Sequence, residues 1–144
     1  MEKITIVFDY QKYPVIPVKF YFKDRETPII DALLDSGGDF IVIPMPVARY
    51  LGLKLKKAGS VDTAGGATVL FKTILSMVIG KKEETYTYQN IQIHVSARND
   101  IPILLGRHPI FEDYEITFKK QKNQLILKSI KWEILVNAWT KNFI

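Results

Sequence analysis

The chain has 144 residues, of which 47% are apolar, and its 20 Lys and Arg outnumber 15 Asp and Glu for a formal net charge of +5. That length suits one compact domain with a core of its own, and the apolar share excludes a chain that stays unfolded. The complete lack of cysteine excludes a disulfide scaffold, a cysteine nucleophile and thiolate metal sites.

The opening "MEKITIVFDYQKYP" carries an acid at position 2 and only a short apolar stretch, so it does not read as a signal peptide. Within it, Ile4, Ile6 and Phe8 alternate with polar neighbours and predict a strand. "VKFYF" and "IIDALL" follow as short apolar strand candidates. After them comes "DSGGDFIVIP", and then "MPVARYLGL", which predicts a short helix with Pro46 in its first turn and Gly52 as its stop. "SVDTAGGATVLF", residues 60–71, places Gly65-Gly66 between two strand-like arms and predicts a hairpin. "FKTILSMVI" and "TYTYQNIQIHV" are rich in β-branched and aromatic residues. "IPILLGRHPIF", residues 101–111, reads as a buried strand ending at Gly106-Arg107, with a second short helix over "RHPIFEDY". "YEITF" and "QLILK" flank "KKQKN" as a further hairpin. At the C-terminus, Trp132, Leu135, Val136, Trp139 and Phe143 fit either a helical stripe or an edge strand.

No stretch approaches the roughly 20 apolar residues of a membrane helix, so no membrane partner is expected and the default location is the cytoplasm. Paired lysines at 56–57, 81–82 and 119–120 fall at turns and strand ends. A nucleic-acid groove needs basic residues interleaved with aromatics on one face, so these pairs read as solvated surface and no nucleic-acid partner is expected.

One acid stands out. Asp35 sits between the apolar runs Ala32–Leu34 and Phe40–Ile43. A bare Asp-Ser-Gly is ordinarily an Asx turn on the surface. Here the flanks draw the carboxylate inward, where it is expensive unless it is paired or hydrogen-bonded. Gly37 and Gly38 permit a tight turn, and Ser36 offers a hydroxyl to lock it. An arginine directly after a buried strand likewise needs an acid, and Asp39 is the candidate partner for Arg107.

Taken together, "ALLDSGGDFIVIP", a glycine-tipped hairpin and "ILLGRHPIF", in that order, resemble the retropepsin-like aspartic proteases from about Ile29 to Leu127. The family pattern is an apolar pair followed by Asp-Thr/Ser-Gly-Ala, and later an apolar run ending in Gly-Arg or a close variant. The resemblance implies a mainly-β, single-domain closed barrel over residues 1–144, with a flap hairpin and one or two short helices. It also implies that Asp35 is the catalytic acid, that Ser36 and Gly37 support the active-site loop, and that Asp39 and Arg107 brace it from inside. Ala64, Gly65, Gly66 and Ala67 would form the flap tip over a peptide or protein substrate. Gly38 departs from the family's alanine, which removes a methyl group beside the loop.

Such an enzyme needs two carboxylates and no metal or other cofactor. "VDTAG" at 61–65 is not a second copy of the motif: alanine replaces its glycine, no apolar strand precedes it, and it lies too near the first. The resemblance therefore implies a homodimer in which Asp35 faces its symmetry mate, with residues 129–144 a candidate dimerisation extension. Three other readings stand beside it: a retropepsin-fold module that binds extended peptides without cleaving them, a small nucleic-acid-binding barrel, and a metal hydrolase. The last is weakest, because His94 and His108 lack ligand spacing, His94 is expected to face solvent, and His108 reads as a helix-start residue.

Overall fold

A computed structural model describes residues 4–63 and 66–130. The candidate dimerisation extension beyond Ile130 and two of the predicted flap-tip residues, Ala64 and Gly65, lie outside the described residues.

Eleven strands occur among the described residues: β1 Thr5–Asp9, β2 Val15–Phe22, β3 Arg25–Glu26, β4 Ile30–Leu34, β5 Ile41–Pro44, β6 Lys56–Thr63, β7 Gly66–Lys81, β8 Glu84–Ser96, β9 Ile103–Leu105, β10 Tyr114–Lys119 and β11 Gln124–Ser129. Eight form one sheet in the order β3-β2-β4-β9-β5-β8-β7-β6, and an additional β2–β7 pairing closes six of them into a barrel. Closure pairs both sides of those six strands and leaves only β3 and β6 at the sheet's ends. The remaining three make a separate sheet in the order β1-β11-β10.

Alternation determines what fills the barrel. Along β2, Ile16, Val18 and Phe20 point inward, joined by Ala32 and Leu34 of β4, Ile41 and Ile43 of β5, and Ile93 and Val95 of β8. Each of these Ile, Val, Leu and Phe side chains contributes about 1.5–3 kcal/mol when fully buried, and Ala32 less. The same rule gives the small sheet its inner face of Ile6, Phe8, Leu125 and Leu127, against which Tyr114 packs.

The predicted helix is Met45–Leu51, here α1. Pro46 sits in its first turn, where a missing N–H leaves nothing unpaired. Gly52 ends it in the left-handed region at φ 69°, and the N–H groups of Gly52 and Leu53 return to the carbonyls of Arg49 and Ala48. Buried Met45, Ala48 and Leu51 anchor α1 on the barrel. A second short helical segment spans Arg107–Phe111 and is kinked at His108, whose backbone is extended at φ −101° and ψ 128°. No helix of the described residues is long and apolar enough to cross a membrane.

Two pairings place the site. β4 runs parallel to β9, with Leu34 opposite Leu105, and β5 runs antiparallel to β9, with Ile41 opposite Leu105. The ends of β4 and β9 and the start of β5 are thereby brought side by side, so the loop 35–40 and the segment 106–108 must meet.

Candidate active site

The loop between β4 and β5 is held from both sides. The Asp35 N–H donates to the Leu105 carbonyl at 2.9 Å, continuing the β4–β9 ladder by one bond. The Gly37 N–H donates to Asp35 Oδ1 at 3.1 Å, and the Gly38 N–H to the Asp35 carbonyl at 3.2 Å. This is an Asx turn, as the bare tripeptide suggests, and it fixes the carboxylate at the end of a buried strand. Asp35 itself is half-buried, while Ser36 and Gly37 are exposed.

Across from it, the chain leaving β9 clamps the loop. Backbone N–H groups of Gly106, Arg107 and His108 donate to the carbonyls of Phe40, Gly38 and Asp39 at 3.2, 2.8 and 2.9 Å. Three consecutive donors meeting three consecutive carbonyls demand very close approach. A Cβ on Gly106 would lie 2.4 Å from the Phe40 carbonyl oxygen and 2.6 Å from its nitrogen. Gly106 has φ −76° and ψ −172°, values open to any residue, so glycine is required here by space and not by torsion.

The guanidinium of Arg107 hydrogen-bonds Asp39 Oδ1 and also donates from Nε to the Gly38 carbonyl at 3.3 Å. The predicted partners thus meet, but their setting differs from the buried one expected: the Arg107 and Asp39 side chains are 57% and 67% exposed. The flanking strands are buried, yet the turn lifts the pair to the rim. Gly38, where the family pattern has alanine, lies against the acid, and a Cβ there would sit 2.9 Å from Asp35 Oδ2. In this conformation glycine leaves the carboxylate room that a methyl group would take.

Asp35, Gly37, Gly38 and Asp39 line one end of a cleft of about 760 Å³. The hairpin β6–β7 forms its far wall through Val61, Asp62, Thr68 and Leu70. In that hairpin Thr63 pairs with Gly66 and Asp62 with Ala67, which leaves a two-residue connection. Gly66 and Ala67 therefore begin the returning strand next to the tip. Asp62 is solvent-exposed and makes no hydrogen bond to the described residues, unlike the fixed Asp35.

Sequence reasoning misplaced His94. Alternation with Ile93 and Val95 points it to solvent, but its outer face packs against the loop residue Phe40, and it is only 9% exposed. Its ring packs edge-on against Phe40, with centroids 4.8 Å apart, and it lines the cleft with Ser96 and Val42. Desolvation, and then the nearby Lys72 ammonium, lower its pKa from the ordinary histidine value. His108, by contrast, is exposed at the start of its helical turn and pairs with Glu112 at 2.8 Å. No three His, Asp or Glu side chains gather as a metal site among the described residues.

A closed six-stranded barrel that carries an Asp-Ser-Gly loop at the mouth of a cleft walled by a long hairpin defines a retropepsin-like architecture. The chain belongs to the aspartyl protease family, whose sequence pattern matches residues 18–108, more than half of its length. Among solved structures it is similar to a retropepsin-like aspartic protease from Rickettsia conorii, with 26% identity, a TM-score of 0.64, and coverage of 85% of this chain and 98% of that one. It also shares its fold with the EIAV protease complexed with the inhibitor HBY-793, at 19% identity and a TM-score of 0.55, covering 73% of this chain and 91% of the other. No curated protein matches it.

Proposed function

We propose that the chain is an aspartic endopeptidase that works as a homodimer, with Asp35 of each protomer forming one half of the catalytic pair. The observation that carries this reading is the position of Asp35: a half-buried carboxylate, oriented by the Gly37 N–H, at the mouth of a peptide-sized cleft in a chain of the aspartyl protease family.

Two carboxylates facing each other across one water share a single proton, because like charges so close do not both ionise. The unprotonated carboxylate takes a proton from the water as its oxygen attacks the peptide carbonyl carbon. The protonated one donates to the carbonyl oxygen as the tetrahedral species forms. Collapse of that species breaks the C–N bond, and a proton passes to the departing nitrogen. One chain supplies one such acid, since Asp62 stands exposed on a hairpin arm and has no hydrogen-bond partner among the described residues. The exposed Ser36 and Gly37 offer the face on which a second loop can seat. There the hydroxyl of Ser36 braces one loop against the other, and the Gly37 carbonyl meets the extended substrate. The Asp39–Arg107 pair and the backbone clamp of 106–108 keep the loop from yielding as substrate binds. The β6–β7 hairpin, with Gly66 and Ala67 at the start of its returning strand, covers the bound peptide.

Digestion of an unbiased peptide library at several pH values, with and without pepstatin, tests the proposal. Wild type is expected to cut a defined subset, pepstatin to suppress cleavage, and Asp35→Asn to abolish it while keeping the circular dichroism of the folded barrel. Cleavage undiminished in Asp35→Asn would remove Asp35 from the chemistry. Binding without cleavage by wild type would leave a peptide-binding module.

A further inference from the structure

The floor of the cleft carries polar groups that the hydrolytic chemistry does not use. His94 and Ser96 are alternate residues on β8, facing away from the barrel interior that Ile93 and Val95 fill. Val42 of β5 is the parallel partner of His94, and Lys72 of β7 is its antiparallel partner. Thr68, further along β7, brings its Oγ1 to 3.4 Å from Ser96 Oγ. Thr68 and Ser96 are 9% and 2% exposed, and both line the cleft with His94.

His94 is the group without a partner. It is nine-tenths buried, neither ring nitrogen bonds to any described residue, and its packing contact is the face of Phe40. The enclosed side-chain polar atom without a partner among the described residues is the Tyr114 hydroxyl and not a nitrogen of His94, so the imidazole keeps contact with the water of the cleft. A histidine held this way at the wall of a binding cleft satisfies its nitrogens when the ligand brings the complement.

We propose that His94, with the Thr68 and Ser96 hydroxyls, forms a specificity subsite that selects a carboxamide side chain, asparagine or glutamine, on the bound peptide. The proposal rests on the peptide-cleft reading of the site. The ring stays neutral in this setting because desolvation and Lys72 both disfavour its charge. A neutral imidazole has one N–H donor and one bare nitrogen acceptor, and a hydroxyl can play either part. A carboxamide has the matching pair, an NH2 and a C=O. An aliphatic side chain of the same size leaves the imidazole unpaired, and a carboxylate brings a charge that must shed its water on entering.

Peptide binding to Asp35→Asn protein, which holds substrate without cutting it, reads the subsite apart from the chemistry. Fluorescence anisotropy with peptides that vary one position at a time compares the near-isosteres asparagine and leucine. At one position asparagine should bind about tenfold more tightly than leucine, the value of one net hydrogen bond. Adding His94→Leu should reverse that order, whereas adding His94→Gln, which keeps a donor and an acceptor, should preserve it. Leucine favoured at every position, a preference unchanged by His94→Leu, or no binding of any peptide would each overturn the proposal. If instead the protease reading alone fails, wild type leaves these peptides uncut while the asparagine preference persists.

Discussion

Replacing Gly106 by alanine should unfold the site without touching the carboxylate. The new Cβ would meet the Phe40 carbonyl oxygen at 2.4 Å, the Phe40 nitrogen at 2.6 Å and the Gly38 carbonyl oxygen at 2.9 Å. All three are backbone atoms, so no rotamer change relieves the overlap. The loop 38–40 has to retreat by about 1 Å, which is overpacking of the kind that destabilises by roughly 1–3 kcal/mol. The same retreat pulls apart the three bonds by which Gly106, Arg107 and His108 grip Phe40, Gly38 and Asp39. At about 1 kcal/mol net for each bond, the total loss is roughly 4–6 kcal/mol. For a chain of this size that corresponds to a fall in Tm on the order of 10–15 °C, followed by circular dichroism at fixed protein concentration. A variant melting within about 2 °C of wild type would show that the 106–108 segment does not clamp the loop this closely.

Further outcomes follow from the same geometry. Arg107→Ala removes an ion pair whose members are both more than half exposed, so it should lower stability by only about 1 kcal/mol or less, measured by urea titration; a loss of several kcal/mol would mean that the pair is covered in the working assembly. His94 has a lowered pKa in the fold, so the unfolded chain binds its proton first as pH falls. The stability it contributes is complete above the ordinary histidine pKa of about 6.5 and is lost as pH drops through the folded value. His94→Leu should therefore flatten the fall in Tm between neutral and mildly acidic pH, and parallel curves for the two proteins would contradict a buried neutral ring. Peptide cleavage should trace a bell centred on mildly acidic pH and fade towards neutral, since the pair must hold one proton. A plateau through alkaline pH in the pH–rate profile would speak against the shared proton.

The parts of the molecule that sequence reveals are those made by neighbours in the chain. Pro46 and Gly52 mark both ends of α1 because each acts on its own backbone. "KKQKN" forms its hairpin because Asn123 accepts φ 51° at the turn, a property of that residue alone. The Asp-Ser-Gly-Gly loop is legible because its turn bonds lie within four residues and its apolar flanks are continuous. The parallel β4–β9 and β5–β8 pairings join residues 71 and 52 positions apart, and no local pattern announces them. For that reason the sequence points His94 to solvent: alternation along β8 separates two faces, but only what packs onto the second face, here Phe40 from more than 50 residues away, decides whether it is wet. The exposure of Asp39 and Arg107 was hidden in the same way, because burial of Leu34 and Ile41 does not carry through a turn that rises to the rim.

Subunit mixing tests the shared catalytic pair most directly. Wild type at a fixed concentration is equilibrated with increasing Asp35→Asn protein, and cleavage of one good peptide is followed. If each active site needs Asp35 from two chains, the inactive protein captures wild-type subunits in dead heterodimers, and activity should fall towards zero as it comes into excess. Activity that stays constant throughout the titration would show that a single chain cleaves by itself, and the paired-Asp35 account would be wrong.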